Sequence, residues 1–84
     1  MSAEVYLVTG ASKGLGRSIC ELLANNGYTV IGLARASLEL SSLDDLLKGF
    51  NPKSLTISCD LSNPSEVSFV GKQIAEKYSS VHGI

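Results

Sequence analysis

The stretch T-G-A-S-K-G-L-G, residues 9–16, decides the fold of this chain. It follows the apolar run V-Y-L-V and leads into a helical pattern that begins near Leu15. A strand that ends at a glycine-rich turn and continues as a helix directs several backbone N–H groups and the positive end of the helix dipole at one point, which favours a phosphate or pyrophosphate. The turn therefore predicts a nucleotide site. Its candidate cofactor-binding residues are Gly10, Ser12, Lys13, Gly14, Leu15 and Gly16.

The glycine spacing separates this turn from two other nucleotide-binding motifs. It reads T-G-x-x-x-G-x-G, whereas the common dinucleotide motif G-x-G-x-x-G, started at Gly14, would place its third glycine on Ile19. A P-loop started at Gly10 would need its second glycine at Leu15, and no Gly-Lys-Ser/Thr triplet follows. The alternative is a glycine-rich turn without a ligand, in which the glycines only permit positive φ angles.

Composition sets the class of protein. The 84 residues are enough for one small domain or a piece of a larger one, and 44% hydrophobic with 18% charged residues predicts a globular core. The net charge of −1 and the lack of a long apolar run argue against a nucleic-acid or membrane partner. We expect a cytoplasmic protein in which Cys20 and Cys59 are buried, reduced thiols rather than a disulfide or a metal site.

Strand and helix signals alternate along the chain. Strands are predicted at about residues 4–8, 28–33 and 54–59, and helices at about 14–26, 38–48 and from 64 onward. This order predicts an α/β fold: the N-terminal βαβαβα half of a doubly wound, Rossmann-type parallel sheet.

Three local patterns refine the helices. The predicted buried faces are Leu15, Ile19, Leu22 and Leu23 in the first helix, Leu40, Leu43 and Leu47 in the second, and Val67, Val70, Ile74 and Tyr78 in the third. Gly27 is expected to stop the first helix. Asn63 is expected to cap the third, with Pro64 at its first position and Glu66 completing a capping box.

The glycine turn after the first strand resembles the cofactor turn of the short-chain dehydrogenase/reductase family. The end of the second strand then bears on which cofactor binds. NAD-selecting sites place an acid there to accept from the ribose 2′-hydroxyl, but this chain has Arg35, whose planar fork suits a phosphate. Ser37 can donate a further hydrogen bond, and Lys13 can approach the same phosphate. Basic residues at these two places are associated with NADP in that family, so the resemblance implies NADP in preference to NAD.

Asp60 and Leu61, just after the third strand, extend the resemblance. The family has an Asp there, followed by an apolar residue that lines the adenine pocket, and a carboxylate at this end of a sheet can accept from the adenine amino group. The alternative is that Asp60 only caps the turn into the third helix.

No residue is assigned a catalytic role. The family's catalytic tyrosine has a lysine four positions later, but the tyrosines at 6, 28 and 78 are followed there by Gly10, Gly32 and His82. The resemblance therefore implies that the catalytic residues lie beyond residue 84. His82 is a lone histidine without a partner pattern, and it receives no role.

We thus expect residues 1–84 to be the N-terminal part of a dinucleotide-binding domain, truncated before the fourth strand and with the first strand left as an open edge. The implied function is NADP binding in an oxidoreductase that transfers a hydride between NADP(H) and a carbonyl or alcohol substrate, with a homo-oligomer allowed for the complete protein. The alternatives are a non-catalytic nucleotide-binding or interaction module, and an inactive truncated product.

Overall fold

The computed structural model describes residues 4–78 and 81–83. Strands and helices alternate within this part of the chain, and every predicted element is present within two residues of its expected bounds. In chain order they are β1 (Val5–Thr9), α1 (Gly14–Asn25), β2 (Thr29–Ala34), α2 (Leu38–Phe50), β3 (Leu55–Ser58), α3 (Pro64–Lys77) and β4 (His82–Gly83).

The strands form one parallel sheet in the order β3-β2-β1-β4. Leu7 of β1 pairs with Ile31 of β2, which pairs with Leu55 of β3. Because parallel strands need a crossover connection, α1 and α2 link β1 to β2 and β2 to β3. The predicted Rossmann-type βαβαβα fold is confirmed.

The prediction that the chain stops before a fourth strand, leaving β1 at an edge, is wrong. Residues 82–83 already run beside β1, with Tyr6 paired to His82 and Leu7 paired to Gly83. The backbone groups on the side of β1 that faces away from β2 need hydrogen-bond partners, and residues 82–83 pair with this side. A two-residue strand containing a glycine has no sequence pattern from which to predict it.

β2 lies at the centre of the described fold, and all six of its residues are buried. The core is divided into two clusters of buried residues. One comprises Val8, Ala11, Cys20, Ala24, Val30, Leu43 and Leu47, and the other comprises Ile31, Leu33, Cys59, Val70 and Ile74. The first cluster includes residues of α1 and α2 and the second includes residues of α3, so both faces of β2 are covered, as its apolar sequence predicts.

The predicted buried face of α1 is partly wrong. Leu15 and Leu22 are 78% and 63% exposed, whereas Cys20 and Ala24 are fully buried. Gly16 packs so closely on the glycine turn that a β-carbon there would fall on the Gly10 carbonyl. A helix held this close to the turn is expected to accommodate small side chains beneath it, and Gly16, Cys20 and Ala24 recur at the required four-residue spacing.

The other two helices bury most of their predicted faces. Leu40, Leu43 and Leu47 of α2 are buried, as are Val70 and Ile74 of α3, while Val67 is 41% exposed. The prediction is therefore confirmed for α2. For α3 it is wrong at Val67, and Tyr78 lies just after the end of the helix, half-buried against the second cluster.

The helix ends follow the sequence signals with one exception. Gly27, with φ 90°, ends α1, and the Asn63 side chain accepts hydrogen bonds from the N–H groups of Ser65 and Glu66. The capping box is not formed, because the Asn63 N–H already donates to the Asp60 carbonyl at 2.9 Å. Glu66 Oε1 instead accepts from the Asp60 N–H at 3.4 Å.

Candidate functional site

The glycine turn between β1 and α1 requires glycine at three positions, for two physical reasons. Gly10 and Gly14 have φ angles of 62° and 64°, in the left-handed region that side chains disfavour. Gly16 has no room for a β-carbon, because the backbone of Gly10 occupies that space. The three glycines of the T-G-x-x-x-G-x-G pattern are therefore a steric requirement of this turn.

No side chain among the described residues caps the N-terminus of α1. Lys13 occupies the capping position in an extended conformation, and its side chain caps none of the first-turn N–H groups. The first turn also contains no acidic residue. Since the first N–H groups of a helix lack intrahelical acceptors, this end keeps the partial positive charge that attracts phosphate.

A cleft of about 440 Å³ opens beside this turn, at the carboxyl ends of β1, β2 and β3. It brings together seven of the ten predicted cofactor-binding residues: Gly10, Ser12, Lys13, Arg35, Ser37, Asp60 and Leu61. The other three, Gly14, Leu15 and Gly16, do not line this cleft and form the first turn of α1. Residues from three separate loops thus meet at one edge of the sheet, where α/β proteins bind ligands.

Arg35 extends into solvent at the mouth of the cleft. Its side chain is 81% exposed, and its Nη2 lies 3.8 Å from Oδ1 of Asp60. An exposed ion pair at this distance contributes little to stability, so the guanidinium can turn toward an incoming anion at small cost.

Ser37 has a structural role in addition to the predicted one. Its Oγ caps α2 by accepting a hydrogen bond of 3.1 Å from the Leu40 N–H. A hydroxyl can accept and donate at once, so the Ser37 hydrogen remains available to a ligand in the cleft. The cap also fixes the hydroxyl in position beside Arg35.

Asp60 uses one carboxylate oxygen to shape the loop after β3. Its Oδ1 accepts from the Ser62 hydroxyl at 2.6 Å and from the Ser62 N–H at 2.9 Å. These two hydrogen bonds, together with the charge of Arg35, lower the pKa of Asp60 and keep it ionised. Among the described residues no donor reaches Oδ2. Oδ1 therefore stabilises the turn before α3, which was the alternative role for Asp60, while Oδ2 can still accept a hydrogen bond from a ligand.

Four residues of the cleft were not predicted from the sequence: Ala34, Glu39, Cys59 and Ser62. Glu39 lies in the first turn of α2, so its place near Ser37 is readable from the predicted helix start. Cys59 lies next to Asp60 at the end of β3. Both cysteines are free and buried, as predicted, and burial raises the pKa of both thiols.

Residues 4–78 and 81–83 contain no cluster of three His, Cys, Asp or Glu side chains that could hold a metal ion. Nor is any helix in this part of the chain both long and apolar enough to cross a membrane.

The family model for short chain dehydrogenases matches residues 4–84 of the sequence. The chain belongs to this family. Short-chain dehydrogenases are oxidoreductases, and the glycine turn and cleft described above lie in this matched region.

Two curated relatives and one solved structure illustrate the similarity. An NADPH-dependent pterin aldehyde reductase of Arabidopsis thaliana is 38% identical over 92% of this chain and 31% of its own length. A 3-oxoacyl-(acyl-carrier-protein) reductase of Vibrio cholerae is 37% identical over 96% of this chain and 32% of its own. An alcohol dehydrogenase of Thermococcus sibiricus, complexed with 5-hydroxy-NADP, superimposes with a TM-score of 0.85 at 27% identity, covering 95% of this chain and 34% of that one.

The chain therefore spans about a third of the length of these three proteins. The matched third contains the glycine turn and the ends of β2 and β3.

Proposed function

We propose that this chain is the NADP-binding segment of an oxidoreductase that transfers a hydride between NADP(H) and a carbonyl or alcohol substrate. The observation that carries the proposal is the single cleft in which the glycine turn, Arg35, Ser37 and Asp60 meet. Its supports are family membership and relatives that are named for NADPH or complexed with an NADP derivative.

The residues of the cleft fit the phosphates of NADP. The uncapped N–H groups at the start of α1 would hold the pyrophosphate, since the missing β-carbon at Gly16 lets α1 begin directly against the glycine turn and Gly10 adds no side chain beside the cleft. Arg35 and Lys13 would bind the 2′-phosphate, with the Ser37 hydroxyl as a further donor. An adenosine without that phosphate would make none of these charge-assisted contacts.

The adenine would lie farther along the same cleft. Asp60 Oδ2 would accept from the adenine amino group, because Oδ1 is already engaged by Ser62. Leu61 is 48% exposed at the cleft and would cover the ring with apolar surface. In this proposal the chain's own residues bind and orient the cofactor.

Hydride chemistry comes from the nicotinamide when the cofactor is bound. No tyrosine in the 84-residue sequence has a lysine four positions later. We therefore propose that the proton-transferring residues of the complete enzyme lie outside these 84 residues.

The test is calorimetric titration of the chain with NADP⁺ and with NAD⁺. NADP⁺ should bind about tenfold to a hundredfold more tightly, the range expected for one hydrogen bond to a charged group. Arg35→Asp should reverse this preference, because the new carboxylate repels the 2′-phosphate and can accept from a 2′-hydroxyl.

Lys72→Asp is the matched control, since Lys72 is an exposed cation on α3 that does not line the cleft. It makes the same change of charge and should leave the preference unchanged. Equal affinity of the unmodified chain for the two cofactors would overturn the proposed role of Arg35, and no binding of either would overturn the proposed function.

A further inference from the structure

Arg17, in the first turns of α1, connects the two phosphate-binding regions of the proposed site. Its Nη1 donates to the Glu39 carbonyl at 3.0 Å and approaches the Ser12 carbonyl at 3.5 Å. Ser12 belongs to the glycine turn, and Glu39 belongs to the start of α2, two residues after Ser37. The planar guanidinium thus spans the gap between two segments that lie far apart in the sequence.

Two more contacts fix the orientation of the Arg17 side chain. Its Nε lies 3.3 Å from a carboxylate oxygen of Glu21, one helical turn later, and its Nη2 donates to the Ser42 hydroxyl at 3.3 Å. The side chain is only 27% exposed. An arginine fork held at both ends in this way is preorganised and loses little entropy for each hydrogen bond that it makes.

Among the described residues, Ala11 of the glycine turn packs in one core cluster with Leu43 and Leu47 of α2, but residues 35–39 take no part in that cluster. The glycine turn is fixed to β2 through the Ala11 N–H, which donates to the Leu33 carbonyl at 3.1 Å. Residues 35–39, from the end of β2 into α2, are all exposed. Arg17 itself does not line the cleft, so it has no direct path to a ligand there.

We propose that Arg17 is a positioning residue that sets the spacing between the pyrophosphate site and the 2′-phosphate site. This inference rests on the proposed function, because it assumes that one nucleotide contacts both regions. A ligand that bridges the two regions gains affinity only when their spacing matches its own. A ligand that contacts one region alone does not depend on that spacing.

Three adenosine nucleotides separate these cases. Adenosine 2′,5′-bisphosphate carries both phosphates, whereas 5′-AMP and 2′-AMP each carry one. Arg17→Gln should lower the affinity for the bisphosphate about tenfold, a size observed for residues that act on a site without touching its ligand. The affinities for the two monophosphates should each change by less than about twofold.

Two variants test whether the loss of a positive charge alone explains the effect of Arg17→Gln. Arg17→Lys keeps the charge but cannot span two carbonyls, so it should show the same selective loss as Arg17→Gln, to a smaller extent. Lys72→Gln removes one positive charge on α3, outside the cleft, and should change no affinity. Arg17→Lys alone decides the question if Arg17→Gln does not fold, as judged by circular dichroism.

The inference is overturned if all three nucleotides weaken equally in the Arg17 variants, which would indicate a loss of fold or a general electrostatic effect. It is also overturned if Arg17→Lys binds the bisphosphate as tightly as the unmodified chain does. Failure of the proposed function has a different signature, because the unmodified chain would then bind neither the bisphosphate nor NADP⁺.

Discussion

Gly16→Ala tests the architecture of the glycine turn, since it adds a single methyl group where α1 meets the turn. The added β-carbon would fall on the carbonyl oxygen of Gly10, with the carbonyl carbon at 2.8 Å and the Ala11 Cα at 3.3 Å. All three atoms belong to the backbone, so no side chain can rotate away. Either α1 or the turn must move.

The expected cost is about 3 kcal/mol of unfolding free energy, at the upper end for overpacking that displaces backbone. Gly71→Ala is the matched control. Gly71 lies inside α3, and an added β-carbon there meets no atom within 4 Å. Because alanine is the better helix former, this variant should gain about 1 kcal/mol. The same substitution should thus act with opposite sign at the two positions.

Thermal unfolding followed by circular dichroism measures both effects. In a domain of this size 1 kcal/mol shifts the melting temperature by about 4–8 °C, so Gly71→Ala should melt several degrees higher and Gly16→Ala more than about 10 °C lower. Gly16→Ala should also lose nucleotide binding, because the moved turn no longer presents its N–H groups together. A Gly16→Ala melting temperature within about 2 °C of the unmodified chain would refute the close contact between α1 and Gly10.

Two further expectations concern pH. Burial raises the pKa of Cys20 from 9.0 to about 11. Between pH 9 and 11 the thiol therefore ionises in the unfolded chain but not in the folded one, so the folded state should lose about 2–3 kcal/mol of stability as the pH rises through this range. Urea titrations of the unmodified chain and of Cys20→Ala should show this loss only in the unmodified chain. Burial opposes ionisation of Asp44, but hydrogen bonds from Lys48 and Thr56 outweigh it and lower the pKa. The advantage of the unmodified chain over Asp44→Asn should therefore be present above pH 3.8 and disappear as the pH falls below it; an unchanged difference would contradict this.

The order of elements was predictable because its signals are local. The glycine turn, the apolar strands and the Asn63 cap each act over a few residues, and their sequence determines their conformation. The meeting of Arg35 and Asp60 was predictable for a related reason: the carboxyl ends of parallel strands lie at the same edge of a sheet.

The face of α1 and the role of Arg17 depend on tertiary distances, which no local pattern reports. Hydrophobicity ranks Leu15 and Leu22 above Cys20 and Ala24, yet the approach of α1 to the turn favours the small residues. Arg17 matters because α1 and α2 bring the Ser12 and Glu39 carbonyls within reach of one guanidinium. Its sequence neighbourhood gives no sign of either partner.

The two neighbours of β1 have consequences for the order in which the sheet assembles. Pairing with β2 closes a short loop within the β1-α1-β2 unit, whereas pairing with β4 joins Tyr6 to His82, near opposite ends of the chain. The entropy lost in closing a loop grows with its length, so the β4 contact is the more costly to form. We expect the chain to fold outward from β1 and β2, with β4 the last strand to join and the first to detach in local opening.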